Sequence, residues 1–406
     1  MRGPVFPLPP NAVIGIVGGG QLGRMTALAA ARLGYRCHIL TPERESPAGQ
    51  VAAYVTEGEY EDPGAIAAFA AGVDVVTFEF ENVSAGGLEL LAALKPVRPA
   101  PAVLRVSQDR IREKSFLNGA GVPTAPWRRV ETRAELAAAV AAIGLPAVLK
   151  TTRLGYDGKG QSLLVRPEDL ETAFVALAPK PLVLEGFVDF ACELSVVAAR
   201  GEDGRAVAFD AVENRHRQHI LDLTLAPAQV GEEIAAEARG IALRVAEALE
   251  LVGLIAVEMF VDRGGRVLAN EIAPRPHNSG HWTIDACPAS QFELFVRAVA
   301  GLPLPEARRH SDAVMKNLVG PEEAALWGEI LAAPGLIPHL YGKAEARPGR
   351  KMGHVTRLFP HGGLPGPFGI EAALGPLAAR AEVERAGRHL AEQVVQPDLG
   401  EAFGPS

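Results

Sequence analysis

The stretch from Val257 to Arg275, "VEMFVDRGGRVLANEIAPR", decides the fold, because it predicts two neighbouring strands of an antiparallel sheet. The runs "VEMFVD" and "RVLANEIA" flank Gly264-Gly265, and a glycine pair favours a two-residue hairpin loop because glycine accepts positive φ. With that pair as the loop, Glu258 is predicted to lie directly opposite Glu271. Directly opposed residues have Cβ atoms roughly 4.5–5.5 Å apart, so two carboxylates are predicted to face each other.

Two facing carboxylates repel each other unless a cation neutralises them. Magnesium suits this role, since it is a hard cation that binds carboxylate oxygens together with substrate phosphates. The alternative is a pair of solvent-exposed glutamates at a sheet edge. It is disfavoured because Glu258 lies inside the apolar run "GLIAVEMFV". The prediction depends on strand register, since a slip of one residue moves every side chain to the other face.

A second informative stretch, "KTTRLGYDGKGQSLLV", runs from Lys150 to Val165. Gly155 and Gly160 have the spacing of a Walker A loop, but Gln161 and Ser162 replace its Lys-Ser/Thr, and the residues that follow read as a strand instead of a helix. The lysine also precedes the loop. This order predicts a flexible glycine loop that joins two antiparallel strands of a lid and closes over phosphates.

The first glycine cluster, "GIVGGGQLG", places Gly18, Gly20 and Gly23 after a strand and at the start of a helix. This context is typical of a dinucleotide or phosphate site at a helix N-terminus. A dinucleotide fold also needs an acid at the end of the second strand, where Thr41 stands. An NAD oxidoreductase is therefore disfavoured and a phosphorylated substrate is favoured, with glycines that serve only packing as the alternative.

Polar side chains are concentrated in "APRPHNSGHW", which follows the end of the second hairpin strand. Arg275, His277, Asn278, Ser279 and His281 fall within seven residues there, which favours an anion or substrate site over an ordinary polar loop. A histidine metal site is disfavoured because no third ligand is visible.

The 406-residue chain has a formal net charge of −8 and is 48% hydrophobic. No basic block and no apolar run of membrane-spanning length stands out, so nucleic acid and membrane are disfavoured as partners. Cys37, Cys192 and Cys287 are widely spaced and odd in number, which favours reduced thiols and a cytoplasmic protein. Strands and helices alternate over 13–94 and predict a parallel sheet, whereas short turns after "LVLEGFV" predict an antiparallel sheet.

Eight strings occur in the order "GGGQLGRM", "FEFENV", "DRIREK", "PTAPW", "GYDGKGQ", "NEIAPRPHNSGHWT", "SQFELFVRA" and "RPGRKMGHV". Together they resemble the ATP-grasp enzymes, and within them the branch that carboxylates aminoimidazole ribonucleotide in purine biosynthesis. The resemblance covers about residues 13 to 360. It implies an α/β and α+β fold with ATP bound between a lid and a large domain, and a homodimer.

The resemblance also implies domain boundaries. These are an extension over 1–12, an N-terminal αβα domain over 13–115, a lid over 116–182, and a large domain with its C-terminal piece over 183–406.

The activity implied is ATP-dependent activation of bicarbonate to carboxyphosphate, followed by transfer of its carbon to the ribonucleotide amine. ATP and Mg²⁺ would be required, with Glu258 and Glu271 as the metal ligands. A formate-using phosphoribosyl transformylase, a biotin carboxylase and a non-catalytic ATP-binding regulator remain alternatives on the same fold.

The resemblance implies contacts for each ligand. Glu185 would accept from the adenine amino group, the backbone of Gly186 to Val188 would read the base edge, and Glu193 would bind ribose hydroxyls. The full ATP set implied is Arg110, Lys150, Gly155, Tyr156, Asp157, Gly158, Lys159, Gly160, Gln161, Glu185, Gly186, Phe187, Val188, Glu193, His216, Asn270 and Glu271. The residues implied for the ribonucleotide or bicarbonate are Gln21, Leu22, Glu79, Arg275, His277, Asn278, Lys343 and Arg350. Those implied at the reacting centre are Tyr156, Asp157, Lys159, Arg275 and Lys343.

Three of these residues leave a choice open. Glu79 and Glu81 alternate on a predicted strand, so one of them is predicted to be merely exposed. Phe187 either faces adenine or belongs to the core. Where Lys159 stands, an arginine is also familiar in the family, and lysine lacks its bidentate fork.

Overall fold

The computed structural model describes residues 5–153 and 160–377. The N-terminal part is built on a parallel sheet with strand order β3-β2-β1-β4, which confirms the predicted alternation of strands and helices. Its elements are β1 (Val13–Val17), α1 (Gln21–Arg32), β2 (Arg36–Thr41), β3 (Tyr54–Glu57), α2 (Pro63–Ala71), β4 (Val75–Phe78), α3 (Ala85–Ala92), α4 (Pro101–Ser107) and α5 (Arg110–Gly119). β1 is buried throughout, as expected of a central parallel strand with helices on both faces.

The lid is a four-stranded antiparallel sheet with order β5-β8-β6-β7. Its elements are β5 (Trp127–Val130), α6 (Arg133–Ile143), β6 (Ala147–Thr151), β7 (Gln161–Leu164), α7 (Asp169–Leu177) and β8 (Leu182–Gly186). β6 and β7 pair antiparallel, with Lys150 opposite Gln161. The glycine-rich loop therefore joins two antiparallel strands, as predicted.

A nine-stranded antiparallel sheet forms the large domain, with β10 beside β9 and the other strands in the order β14-β13-β9-β11-β12-β15-β17-β16. The first half comprises β9 (Phe190–Arg200), β10 (Ala206–Ala208), β11 (Val212–Arg217), β12 (Ile220–Ala226), α8 (Glu232–Ala248), β13 (Gly253–Asp262) and β14 (Val267–Ala273). The second half comprises α9 (Thr283–Ala286), α10 (Gln291–Ala300), β15 (Asp312–Val319), α11 (Gly320–Ala324), α12 (Trp327–Ala332), β16 (Leu336–Leu340), β17 (Lys351–Phe359) and α13 (Pro367–Ala372). The C-terminal strands β15, β16 and β17 therefore belong to the same sheet as the β13–β14 hairpin.

The hairpin that decides the fold pairs Glu258 with Glu271, as predicted, but the predicted loop is wrong. Asp262 N–H donates to the Arg266 carbonyl, which leaves three loop residues, and Gly265 has φ of 83°. Compared with the predicted two-residue loop, a three-residue loop that ends in a left-handed glycine shifts the pairing of the two strands by one residue. A β-bulge then follows, because Met259 pairs with Ala269 and Asn270 is the extra residue. The bulge restores the pairing that the shorter loop would have produced.

No helix within residues 5–153 and 160–377 has the length and apolar character needed to cross a membrane. The three cysteines are free thiols.

Candidate active site

A cleft of about 660 Å³ lies between the lid and the large sheet and reaches the start of α1. It brings together residues that are more than 250 positions apart in the chain. The predicted site residues that line it are Gln21, Leu22, Arg110, Lys150, Gln161, Glu185, Gly186, Phe187, Val188, Glu193, His216, Glu258, Asn270, Glu271, Arg275, His277 and Asn278. Gly155, Tyr156, Asp157, Gly158 and Lys159 lie outside the described residues, and Gly160 precedes β7 with its carbonyl bonded to Thr151 N–H.

The two hairpin carboxylates are each held by one cationic or donor group. Glu271 Oε2 lies 3.1 Å from Arg110 Nη1, and Glu258 Oε1 lies 3.0 Å from His277 Nε2. Burial alone would raise the pKa of Glu258, but the hydrogen bond from His277 and the nearby positive groups hold its pKa at about 2. Glu258 is therefore ionised at neutral pH.

The donor set of this pair fits Mg²⁺, because both ligands are hard carboxylate oxygens on directly paired strands. Over residues 5–153 and 160–377 no cluster of three His, Cys, Asp or Glu side chains with metal-binding geometry is present. Two protein carboxylates are typical of magnesium sites that share the ion with phosphate oxygens and water. The side chains present would hold the metal through Glu258 and Glu271.

Glu185 lies between two lysines at the lid end of the cleft. Its Oε2 is 3.1 Å from Lys150 Nζ and 3.1 Å from Lys114 Nζ, while its Oε1 is buried without a hydrogen-bond partner among the described residues. Burial opposes ionisation, but Lys150, Lys114 and Arg110 lower the pKa of Glu185 below its usual value. The unpartnered oxygen is the one available to a ligand donor.

The segment at the end of β8 has fewer free backbone groups for binding the adenine base than the resemblance implied. The N–H groups of Gly186 and Phe187 are bonded to the carbonyls of Pro126 and Pro146, so neither is available to a ligand. The Phe187 side chain is 48% exposed and lines the cleft, which shows that it does not belong to the core. Glu193 is hydrogen-bonded to His216 Nδ1 across β9 and β11, and this contact raises the His216 pKa against the effect of burial.

The polar loop after β14 is fixed to two other parts of the molecule. Arg275 forms an ion pair with Glu81, and although burial opposes ionisation, the charge of Arg275 holds the Glu81 pKa at about 2. Asn278 exchanges two amide hydrogen bonds with Asn317, at 2.9 and 2.7 Å. The loop therefore contacts both the N-terminal domain and β15.

A second pocket, of about 340 Å³, adjoins the cleft and shares Gln21 and Leu22 with it. Glu79, Lys343 and Arg350 line this pocket, so the structure separates them from the predicted nucleotide contacts. Lys343 Nζ donates to the Lys351 carbonyl at 2.7 Å. Burial, with Arg350 and Lys351 nearby, lowers the Lys343 pKa to about 8.

The backbone N–H groups at the N-terminus of α1 have a different partner from the predicted one. Glu79, not a phosphate, accepts from Gly20 N–H and Gly23 N–H. A Cβ at Gly20 would lie 2.6 Å from Glu79 Oε1, so the absent side chain makes room for the carboxylate. β4 ends at Phe78, and both Glu79 and Glu81 are bound to protein groups, so the prediction that one of them is merely exposed is wrong.

Three family models match consecutive parts of the chain. Residues 11–108 match the ribonucleotide synthetase preATP-grasp domain, residues 115–292 the ATP-grasp domain, and residues 313–361 the phosphoribosylaminoimidazole carboxylase C-terminal domain. An N5-carboxyaminoimidazole ribonucleotide synthase of Brucella melitensis biotype 1 is 50% identical over 355 residues, which are 87% of this chain and 98% of that protein. The chain belongs to the N5-carboxyaminoimidazole ribonucleotide synthase family.

Solved structures of family members agree with this membership. The synthetase of Thermus thermophilus is 44% identical with a TM-score of 0.82, and the match covers 90% of this chain and 98% of that one. An Aspergillus clavatus synthase in complex with ADP and 5-aminoimidazole ribonucleotide is 32% identical with a TM-score of 0.84, over 91% of this chain and 99% of that one. The ATP-grasp fold with its N-terminal αβα domain and large antiparallel sheet is thus confirmed.

Sequence reasoning missed several residues that line the cleft or bond to residues that line it. Lys114 is 1% exposed and follows Arg110 by four positions on α5, a spacing that puts both on one helix face and was available as a signal. Glu113, on the same helix, accepts from Ile272 N–H at 2.7 Å. The role of Glu81 could not be predicted from the sequence, because its partner Arg275 is 194 positions away and no local pattern indicates the contact.

Proposed function

We propose that the protein catalyses the ATP-dependent carboxylation of 5-aminoimidazole ribonucleotide with bicarbonate. The products are N5-carboxyaminoimidazole ribonucleotide, ADP and phosphate. The observation that carries the proposal is the continuity of the two pockets: the cleft with the carboxylate pair and the pocket with Lys343 and Arg350 share Gln21 and Leu22. A phosphorylated nucleotide acceptor and ATP would then approach each other where the pockets meet, at Gln21 and Leu22.

The nucleotide half supplies positioning and charge, which is most of what phosphoryl transfer requires. Lys150 and Arg110 would bind the phosphates, and Glu185 would accept from the adenine amino group through its unpartnered oxygen. Glu193 and His216 would meet the ribose. Magnesium, held by Glu258 and Glu271, would neutralise charge on the transferring phosphoryl group.

The chemistry proceeds in two balanced steps. A bicarbonate oxygen attacks the γ-phosphorus of ATP and ADP leaves, which gives carboxyphosphate. The exocyclic amine of the ribonucleotide then attacks the carboxyl carbon, the carbon–oxygen bond to phosphate breaks, and the amine loses a proton. Arg275, His277 and Asn278 would hold the carboxylate oxygens during both steps, because protein partners fix all three side chains and all three line the cleft.

The second pocket would take the ribonucleotide. Lys343 and Arg350 are the cations that line it and would bind the 5′-phosphate, while Gln21 and Leu22 would contact the nucleoside at the junction. Glu79 would act through the backbone that it fixes, since both of its oxygens bond α1. Tyr156, Asp157 and Lys159 would close over the reacting centre. The four segments 1–12, 13–115, 116–182 and 183–406, a homodimer and a cytoplasmic location complete the proposal.

The test is a reconstitution with purified protein, ATP, magnesium, bicarbonate and 5-aminoimidazole ribonucleotide. ADP release and bicarbonate-derived carbon in the product are followed together, with equal amounts expected. Omitting the ribonucleotide, or replacing bicarbonate by formate, is expected to reduce ADP release to background. ADP release that is independent of the ribonucleotide would refute this function, and product formed from formate would identify a transformylase.

A further inference from the structure

Lys114 is a buried lysine beside the cleft to which the proposed reaction assigns no role. Its side chain is 1% exposed, and it lies on α5 one turn after Arg110. Lys150 and Glu185 line the cleft, whereas Lys114 is not among the lining residues. Lys114 is therefore placed to act on a bound nucleotide through the groups that it contacts.

Lys114 contacts two such groups, which belong to different parts of the fold. Its Nζ lies 3.1 Å from Glu185 Oε2 near the end of β8, and it donates to the Asn270 carbonyl at 3.4 Å. Asn270 is the extra residue of the β-bulge in β14, so the bulge supplies the second acceptor. These contacts hold Nζ between the lid sheet and the large sheet, and a buried ammonium group keeps such partners because their loss is costly.

The two carboxylate oxygens of Glu185 consequently have different surroundings. Oε2 is 3.1 Å from Lys150 Nζ as well as from Lys114 Nζ, while Oε1 is buried without a hydrogen-bond partner among the described residues. Lys150 lines the cleft and would also bind phosphate, so Glu185 would share Lys150 with the nucleotide. Lys114 has no contact with the cleft and stays with Glu185 when a ligand is bound.

We propose that Lys114 is a positioning residue for base selection, which anchors Glu185 Oε2 and thereby presents Oε1 to the amino group of adenine. Through Glu185 it favours an adenine nucleotide over a purine nucleotide that has a carbonyl oxygen at the same position. Two acceptors that face each other leave both without a hydrogen bond, which is costly in a buried site. This inference rests on the proposed function, in which Glu185 accepts from the adenine amino group.

The test compares the dissociation constants of ADP and inosine diphosphate, measured by isothermal titration calorimetry with the full-length protein and magnesium. The two ligands share ribose and phosphates and differ at the base edge, so changes in stability or overall charge cancel in the ratio of the two constants. We expect the wild type to prefer ADP by about 10–100-fold, the value of a hydrogen bond to a charged group. Lys114→Met should lower this preference by about tenfold. An unchanged preference in Lys114→Met would overturn the inference.

Glu185→Gln tests the orientation of the side chain, and it does so even where Lys114→Met fails to fold. With two lysines as donors around one oxygen, the amide should keep its oxygen there and turn its NH₂ group toward the base. The preference is then expected to invert in favour of inosine diphosphate, whose carbonyl accepts. In the double variant Lys114→Met/Glu185→Gln one lysine remains, so the inversion should become smaller. The absence of an inversion in Glu185→Gln, or an inversion of equal size in both variants, would overturn the inference.

Arg309→Met is the matched control for the loss of a buried cation. Arg309 pairs with Asp210 and with the buried Asp312, and none of these three residues lines the cleft. Its preference for ADP should equal that of the wild type, and a loss as large as that in Lys114→Met would assign Lys114 a merely structural role. The binding measurement needs neither bicarbonate nor the ribonucleotide. A failed carboxylation assay with a normal ADP preference would therefore refute the proposed reaction and not this inference.

Discussion

The N-terminus of α1 and the β13–β14 hairpin are two places where sequence patterns predict a bound ligand. The structure shows different partners for the polar groups at these two places. At α1, the glycine cluster exposes backbone N–H groups suited to an anion, and the protein's own Glu79 binds them. At the hairpin, Glu258 and Glu271 are paired across the strands and each receives one partner, His277 or Arg110. One region binds a single carboxylate with its own backbone, and the other places two carboxylates opposite each other, each with one side-chain partner.

The difference shows which feature marks a binding site. A helix N-terminus stabilises any carboxylate within reach, so the glycine pattern alone does not say whether the anion is a ligand or a side chain. Like charges directly opposite on adjacent strands are destabilising, so a pair of carboxylates in this position is a more specific mark of a site than the glycine pattern. We therefore expect the hairpin to control chemistry and the α1 terminus to control the shape of the pocket.

The largest effect is expected from Glu271→Gln, which removes one carboxylate of the pair without changing its size. Turnover should fall by at least about 10²-fold, because a group that positions the transferring phosphate is lost. Circular dichroism and Tm should remain close to wild type. The control Glu232→Gln removes an exposed carboxylate on α8 and should leave turnover unchanged. Normal turnover in Glu271→Gln would break the comparison, since the hairpin would then be only structural.

Gly20→Ala should act on the other region. The new Cβ would lie 2.6 Å from Glu79 Oε1 and would push the carboxylate off the helix. A loss of about 1–3 kcal/mol in the free energy of unfolding is expected from overpacking, together with a higher KM for the ribonucleotide. Gly240→Ala in α8 is the control, because a Cβ there meets open space and should stabilise the helix by about 0.4–1 kcal/mol. Denaturant unfolding of both variants measures the difference.

A pH profile tests the second pocket. Lys343, with its pKa lowered to about 8 by burial and by Arg350 and Lys351, is charged below pH 8 and neutral above it. If its charge binds the ribonucleotide phosphate, kcat/KM for the ribonucleotide should be flat below pH 8 and fall by up to about tenfold per pH unit above it. Lys343→Arg keeps its charge at all these pH values, so the fall near pH 8 should disappear. A wild-type profile that stays flat to pH 9 would exclude this role.

The helices and strands were predicted correctly where a local hydrophobic pattern or a turn sequence determines them. The parallel sheet, the antiparallel lid strands and the pairing of Glu258 with Glu271 are confirmed. The hairpin was predicted through the wrong loop, because a bulge at Asn270 cannot be read from the strand pattern.

The partners of the site residues were less predictable. Arg275 with Glu81 and Gly20 with Glu79 are 194 and 59 positions apart, so only the tertiary fold brings them together. Lys114 was within reach of sequence reasoning, since it shares a helix face with Arg110.

The smallest effect concerns Glu113, the buried carboxyl on α5 that accepts from the hairpin backbone at Ile272. Burial, and then the charge of Glu271, raise the Glu113 pKa to about 8, so folding favours its protonated form. This group stabilises the fold fully below its unfolded value near 4.5, and the contribution is lost as pH rises through 8. Glu113→Gln keeps an acceptor for Ile272 N–H but cannot ionise. Its Tm should match wild type near pH 5 and exceed it increasingly toward pH 9, measured without magnesium. Since Glu271 contributes to the raised pKa of Glu113, the Tm difference between Glu113→Gln and its parent should be smaller in the Glu271→Gln background. A Tm difference that is constant with pH would mean that the Glu113 pKa is not raised by the charge of the hairpin.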